Sequence, residues 1–333
     1  MRESYLDVPS QYSLFRDIIS NDSFQSLTLR QLLKCNDRPL LMKRFRRGKY
    51  WIMENVVVGR KSRHMGCADS ITFTTHGDYS FVDSLETLVG RWLAPISLAI
   101  FAPGHDIIAT LEAIQYVRNC VPKSDLVSDF VTFHIYFPYR HMPEYVPLNE
   151  TEALEYPYSC AATDIIFGKP SNMNRPREEM YRLQQNLSYP INVGRNIART
   201  AANTHFIFAC DLQLFPSLGF VDQFLDMVDR NHSILLLDPK TQQPRVYPVP
   251  VFELRNNESL PNNKTELLEQ VPDQKRWLRR NPNLTDELQV FSVSTRTGKF
   301  RSWEPFYVSD NAEPLFDEKV SWEGQSSKRV QVK

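Results

Sequence analysis

Short apolar runs alternate with amphipathic stretches through the middle of the chain. Trp51 to Val58, Ile71 to Thr75, Ile96 to Phe101, Phe130 to Phe137 and His205 to Cys210 are brief and rich in β-branched and aromatic residues, which predicts strands. Ser84 to Trp92, Ile107 to Asn119, Val193 to Ala202 and Leu218 to Val228 predict helices. Strand-helix-strand repetition implies βαβ units, a mostly parallel central sheet and ligands beyond the carboxyl ends of its strands.

The pattern changes towards both ends. Residues 1–50 form an N-terminal extension closing in a basic run, Lys43, Arg44, Arg46, Arg47 and Lys49. That run is either a solvated positive edge or a contact for phosphate or glycan. From Pro239 to Asn283 the chain turns to Pro, Asn, Gln and charge, which predicts a long exposed excursion. Leu288 to Val293, Trp303 to Val308 and Leu315 to Trp322 then read as a final ordered block, so residues 51–333 are expected to make one α/β domain.

The 333 residues, 42% hydrophobic and 12% aromatic, supply a sizeable core. Lys plus Arg (39) cancel Asp plus Glu (39), so no field from the whole molecule draws it to nucleic acid or to an anionic membrane. Any anion must meet a local patch. No run approaches the roughly 20 apolar residues that cross a bilayer, and Arg2, Glu3, Asp7, Arg16 and Asp17 occupy the place of a signal peptide's apolar core. Yet Asn-x-Ser/Thr sequons stand at Asn21, Asn149, Asn186, Asn231, Asn257, Asn263 and Asn283, which points to a lumenal history. Together these observations lead us to expect an anchor or signal lying outside this chain. Five cysteines (Cys35, Cys67, Cys120, Cys160 and Cys210) fit an oxidising lumen, leave at least one outside any disulfide and form no C-x-x-C motif.

The candidate chemistry centres on Thr204 to Ser217, where an apolar strand runs into Asp211, Leu212 and Gln213 ahead of a helix. A carboxylate at a strand end, with a polar residue two positions on, can hold a hard divalent cation against a diphosphate. An Asp in that place is also an ordinary turn former. Arg195 and Arg199, four apart on one helix face, can act on one anion or make structural ion pairs. Glu304 and the Asp317-Glu318 pair are candidates for a general base, His76 for a nucleotide contact, and Trp303, Phe306 and Tyr307 for stacking on a sugar or for the core. The absence of a G-x-S-x-G elbow argues against an α/β hydrolase.

Asn192 to Arg199 (N-V-G-R-N-I-A-R), with the strand and loop from Thr204 to Ser217, resembles the core signature of the LARGE-type β-1,4-glucuronyltransferases, glycosyltransferase family 49. Ser70 to His76, Arg91-Trp92, Pro95 to Ala102, Val249 to Glu253, Trp303 to Val308 and Pro314 to Glu318 resemble that family's other blocks in the same order. The resemblance implies a GT-A-type, Rossmann-like fold, a UDP-sugar donor, Mn2+ or Mg2+ held by Asp211 and Gln213, and donor contacts from Arg195, Arg199 and His76. It further implies inverting transfer of glucuronic acid to a terminal sugar, such as xylose, of an O-glycan on a glycoprotein, in a type II membrane protein of the Golgi lumen. Three departures from the family pattern stand out. The second acidic metal ligand is here Gln213, and both a further C-terminal strand carrying a His ligand and the membrane anchor are expected outside this chain. A non-catalytic relative that binds a glycan or a partner is the alternative.

Overall fold

The computed structural model describes residues 28–81, 84–160, 180–230, 246–249 and 306–319, with short pieces between 251 and 267. In chain order the elements begin with helix α1 (Leu29–Leu33), the strands β1 (Lys43–Arg47), β2 (Tyr50–Val57) and β3 (Ile71–Gly77), then α2 (Ser84–Trp92) and β4 (Ile96–Phe101). There follow α3 (Asp106–Asn119), α4 (Ser124–Phe130), β5 (Val131–Pro138), α5 (Glu150–Leu154), α6 (Tyr181–Gln184), α7 (Ile191–Ala201), β6 (Phe206–Ala209), α8 (Phe220–Arg230), β7 (Val246–Val249) and β8 (Phe306–Asp310). The strands form one sheet in the order β1-β2-β5-β4-β3-β6-β8-β7.

The middle of the sheet is parallel, through the pairs β5/β4, β4/β3 and β3/β6. Each of β3-α2-β4 and β4-α3-α4-β5 is a βαβ crossover, as the alternating pattern predicts. The flanks are antiparallel, so the expected parallel character holds only in the centre. The reason is local: β1 and β2 are joined by the two residues Gly48 and Lys49, and Gly48 takes the positive φ of 57° such a hairpin needs. Two further expectations are corrected. Residues 43–47 are not an extension but an edge strand of the sheet, and the disulfide Cys35–Cys67 fastens the preceding segment to the domain. Val246–Val249, inside the presumed excursion, forms the opposite edge, where Pro248 is tolerated because an edge strand has one unpaired side. The block from Leu288 to Val293 lies outside the described residues.

Strict alternation along the strands builds two cores. Ile96, Leu98 and Ile100 of β4 join Phe73, Phe133 and Ile135 and the buried faces of α2 to α4 on one side. There Trp92 packs within ring contact of Phe73, Phe208 and Phe220, and its Nε1–H donates to Pro95 O at 3.0 Å. On the other side Ala99 and Phe101 of β4 meet Tyr136 and the helix α7 through Val193, Ile197 and Ala198. That helix lies so close that a Cβ on Gly194 would come within 2.6 Å of Tyr136 Oη and 2.9 Å of His76 Cβ.

A buried polar relay secures α7 to the sheet. The Asn55 backbone N–H donates to His134 Nδ1 at 2.8 Å, His134 Nε2 lies 2.8 Å from Ser97 Oγ, and Ser97 Oγ donates to Ala198 O at 2.7 Å. With Nδ1 already an acceptor, the imidazole is neutral, and burial pushes its pKa down to about 3. A second disulfide joins Cys120 to Cys160, and Cys210 belongs to neither bridge. No helix among the described residues is long and apolar enough to cross a membrane.

The folded state holds fewer protons at His134 than the unfolded chain between the ordinary pKa of 6.5 and the folded value of about 3. Stability should therefore fall as pH is lowered through that window, by up to about 1.4 kcal/mol per pH unit, in urea titrations. Gly194→Ala should cost roughly 1–3 kcal/mol in the same measurement, because the added methyl forces α7 off the sheet.

Candidate functional site

The strand order turns at β3. The chain moves outward from β3 through β4 to β5, then returns to place β6 on the other side of β3. In an open α/β sheet the crevice for a ligand lies at that switch, beyond the carboxyl ends of the strands. The register that pairs Thr74 with Ala209 brings His76, near the end of β3, to Asp211, just past β6, with His76 Nε2 3.8 Å from Asp211 Oδ1. Alternation points both side chains to the face that carries α7.

From α7, Arg195 Nη2 reaches the same Asp211 oxygen at 3.0 Å and Nη1 donates to Asn192 Oδ1 at 3.3 Å. The guanidinium also lies 5.2 Å from the Phe316 ring centroid, a cation–π contact that fixes its plane. The Arg195 side chain is 9% exposed and that of Asp211 is 44% exposed, so the site presents an open carboxylate backed by a buried cation. A turn closes after Asp211, with Leu214 N–H donating to Asp211 O at 3.0 Å. Within it Leu212 is buried and Gln213 is exposed.

Behind His76 stands Tyr189, whose Oη lies 2.8 Å from His76 Nδ1. Burial holds the Tyr189 phenol well above its ordinary pKa, so it keeps its proton. Arg182 lies over the Tyr189 ring and pairs with the buried Asp78 at 3.4 Å. Asp106 accepts the backbone N–H groups of Tyr181 and Arg182 at 2.9 and 3.2 Å, which anchors α6 above the ends of β3 and β4.

The polar stripe of α7, Asn192, Arg195, Asn196 and Arg199, recurs at helical spacing and grips the segment 313–318. Asn196 accepts the Phe316 N–H and donates to Phe316 O, both at 2.9 Å, and donates to Glu318 Oε1 at 2.9 Å. Asn192 donates to Asp317 O at 2.8 Å. Arg199 donates to Glu313 O and Pro314 O, both at 3.0 Å.

The structure thus brings His76, Arg195 and Asp211 together, and carries Asp317 and Glu318 onto the same helix. Arg199 stands apart from the other donor candidates, because its guanidinium is buried and spent on backbone carbonyls. Glu318 pairs with Arg47 at 2.9 Å, while Asp317 Oδ1 accepts only the Lys319 N–H at 3.0 Å among the described contacts. Phe306 and Tyr307 lie in β8, and Phe306 packs against the core. Glu304 and Trp303 lie outside the described residues. Tyr189, Asp78 and Arg182 escaped sequence reasoning; Asn192 and Asn196 stand in the N-V-G-R-N-I-A-R block with no role assigned to them, though their register with the two arginines was a signal.

The fold is an α/β sheet with a half-exposed carboxylate and a buried arginine at its switch point, the place where proteins of this architecture hold ligands. The family model described as glycosyl-transferase for dystroglycan matches residues 70–275 and 269–333, and the chain belongs to that family. It is 28% identical over 282 residues to β-1,4-glucuronyltransferase 1 of Danio rerio, a match covering 78% of this chain and 59% of the relative. The same-named proteins of Bos taurus and Homo sapiens are each 26% identical over 272 residues, covering 75% of this chain and 60% of the relative. The chain spans about three-fifths of the length of these relatives.

Asn196→Ala should leave the buried Phe316 N–H without an acceptor and cost roughly 1–3 kcal/mol in denaturant unfolding. The same variant should raise hydrogen exchange across 313–318 before any other part of the domain.

Proposed function

We propose that the chain is an inverting glycosyltransferase that moves glucuronic acid from UDP-glucuronate to a terminal sugar, such as xylose, of an O-linked glycan on a glycoprotein. The observation that carries this reading is the Asp211–Arg195 pair at the switch point, in a chain of this family. The relatives' names supply the donor sugar. Two disulfides and the exposed sequon residues Asn149, Asn186 and Asn263 favour an oxidising compartment, and we infer a protein of the Golgi lumen with a type II membrane anchor.

Among the described residues, no three His, Cys, Asp or Glu side chains converge to hold a metal ion. A hard cation such as Mn2+ or Mg2+ accepts a sparse protein donor set when a substrate diphosphate and water complete it. Asp211 offers one carboxylate and the exposed Gln213 an amide oxygen, so these two residues fit that role. When bound, the ion would neutralise charge developing on the departing diphosphate. Arg195 holds the Asp211 carboxylate in place and adds a fixed positive charge beside it. His76, braced by Tyr189, walls the site on the β3 side.

In a single displacement a carboxylate takes the proton of the acceptor hydroxyl as that oxygen attacks the anomeric carbon, and UDP leaves from the opposite face. Asp317 fits the role of base better than Glu318, whose Oε1 is already engaged by Arg47 and Asn196. The ion pair on Asp211 and the neutral amide of Gln213 favour a second reading, in which Arg195 stands where a metal would and the site binds a sugar without turning it over.

Calorimetry separates the two readings. The transferase reading expects Mn2+ to strengthen UDP binding, Asp211→Ala to abolish that dependence, and Gln213→Asp to deepen it through the added charge. A xyloside acceptor with labelled UDP-glucuronate should then show transfer that Asp317→Asn lowers by roughly 100-fold or more. UDP binding indifferent to Mn2+ and to Asp211→Ala would instead support the binding module.

A further inference from the structure

The basic run at the start of the domain has an address in the fold. Because β2 is antiparallel to β5, with Tyr50 opposite Pro138, the tip of the β1-β2 hairpin lies at the carboxyl end of the parallel strands, the end that carries Asp211. The tip is pinned there by Tyr139 N–H donating to Lys49 O at 2.9 Å. Arg46 lies 4.3 Å from the Tyr139 ring centroid, and Arg140 lies 5.7 Å from it while donating from Nε to Tyr139 Oη at 3.0 Å. Among the described residues no carboxylate lies within ion-pair distance of Arg44, Arg46, Lys49 or Arg140. Two guanidiniums held against one ring with no acid between them repel, and an anion offsets that cost.

The patch is continuous with the site. His141, next to Arg140, is 3.1 Å from Tyr181 Oη; its neighbour Arg182 lies over Tyr189, which contacts His76. Tyr139 follows β5 and Asp211 follows β6, three strand spacings or roughly 14 Å apart along the edge. That is the length of a few sugars, with α6 lying between the two points over the ends of β3 and β4.

We infer that Arg46 and Arg140, held against Tyr139, form a subsite for the carboxylate of an acidic sugar within an oligosaccharide chain. Guanidinium forks match a carboxylate in two hydrogen bonds, and an aromatic ring beside them supplies a face for the pyranose. Zero net charge on the whole chain speaks against a nucleic acid, and the placement along the edge of the site favours a sugar chain over a membrane. That this sugar chain is the acceptor rests on the transferase reading; its binding to the patch does not.

The test is calorimetry of this chain with a uronate-containing oligosaccharide and with the same oligosaccharide after reduction of its carboxyl groups. The acidic probe should bind, weaken as salt is raised, and lose roughly tenfold or more in affinity in Arg46→Ala/Arg140→Ala. The doubly exchanged Arg46→Lys/Arg140→Lys, which keeps the charge and loses the fork, should fall between. Both variants should keep the parent's circular dichroism and urea midpoint, which shows that they fold, and UDP binding, where the parent has it, should be unchanged. Asp211→Ala should bind the acidic probe as the parent does, so failure of the metal and donor assignment leaves this subsite standing. Equal binding of the reduced probe, parental affinity in Arg46→Ala/Arg140→Ala, or binding to phosphatidylserine vesicles in place of the oligosaccharide would each overturn the inference.

Discussion

Everything at the candidate site depends on a helix that is buried on two sides yet carries two arginines and two asparagines. Helix α7 lies against the sheet through small and aliphatic residues, and its opposite stripe has no access to bulk water. Each polar group on that stripe must find a protein partner or pay the desolvation of a buried donor. The return segment 313–318 supplies those partners, mostly as backbone carbonyls, and in doing so is carried to the site from more than a hundred residues away in sequence. Arg195 alone turns outward, to Asp211.

The same constraint explains why the sheet beneath α7 is polar where a sheet core is usually apolar. Thr72, Thr74, Ser97 and His134 face the helix, and Ser97 and His134 hold it by a relay that needs a neutral imidazole. Close approach then demands Gly194, since any side chain there would meet Tyr136 and His76. The ordinary hydrophobic work is done on the other face, by Trp92 and the phenylalanines around it. One face supplies stability and the other supplies position.

Outside this centre the antiparallel flanks have a separate consequence. They widen a small parallel core into an eight-stranded sheet and bring the β1 edge and the inner strand β8 to bear on the site. β1 delivers Arg47 to Glu318 and the basic hairpin tip to the strand ends, while β8 leads into the segment gripped by α7. Family membership fixes the kind of chemistry to look for.

The parallel centre was legible in the sequence because β3, β4, β5 and β6 are short stretches rich in β-branched and aromatic residues separated by helix-length amphipathic stretches, the pattern of βαβ units. Asp211 stood out for a related reason: a charge directly after a buried strand has one place to go, the carboxyl edge of the sheet. The edge strands were not legible, since Lys43–Arg47 and Val246–Val249 are half solvated and carry charge or proline, and their pairing is decided by neighbours instead of by their own hydrophobicity. Nor could spacing alone decide between Arg195 and Arg199. Both lie on one helical stripe, and only the fold, by setting Asp211 against one and the Glu313 and Pro314 carbonyls against the other, made the first a site residue and the second a structural clamp.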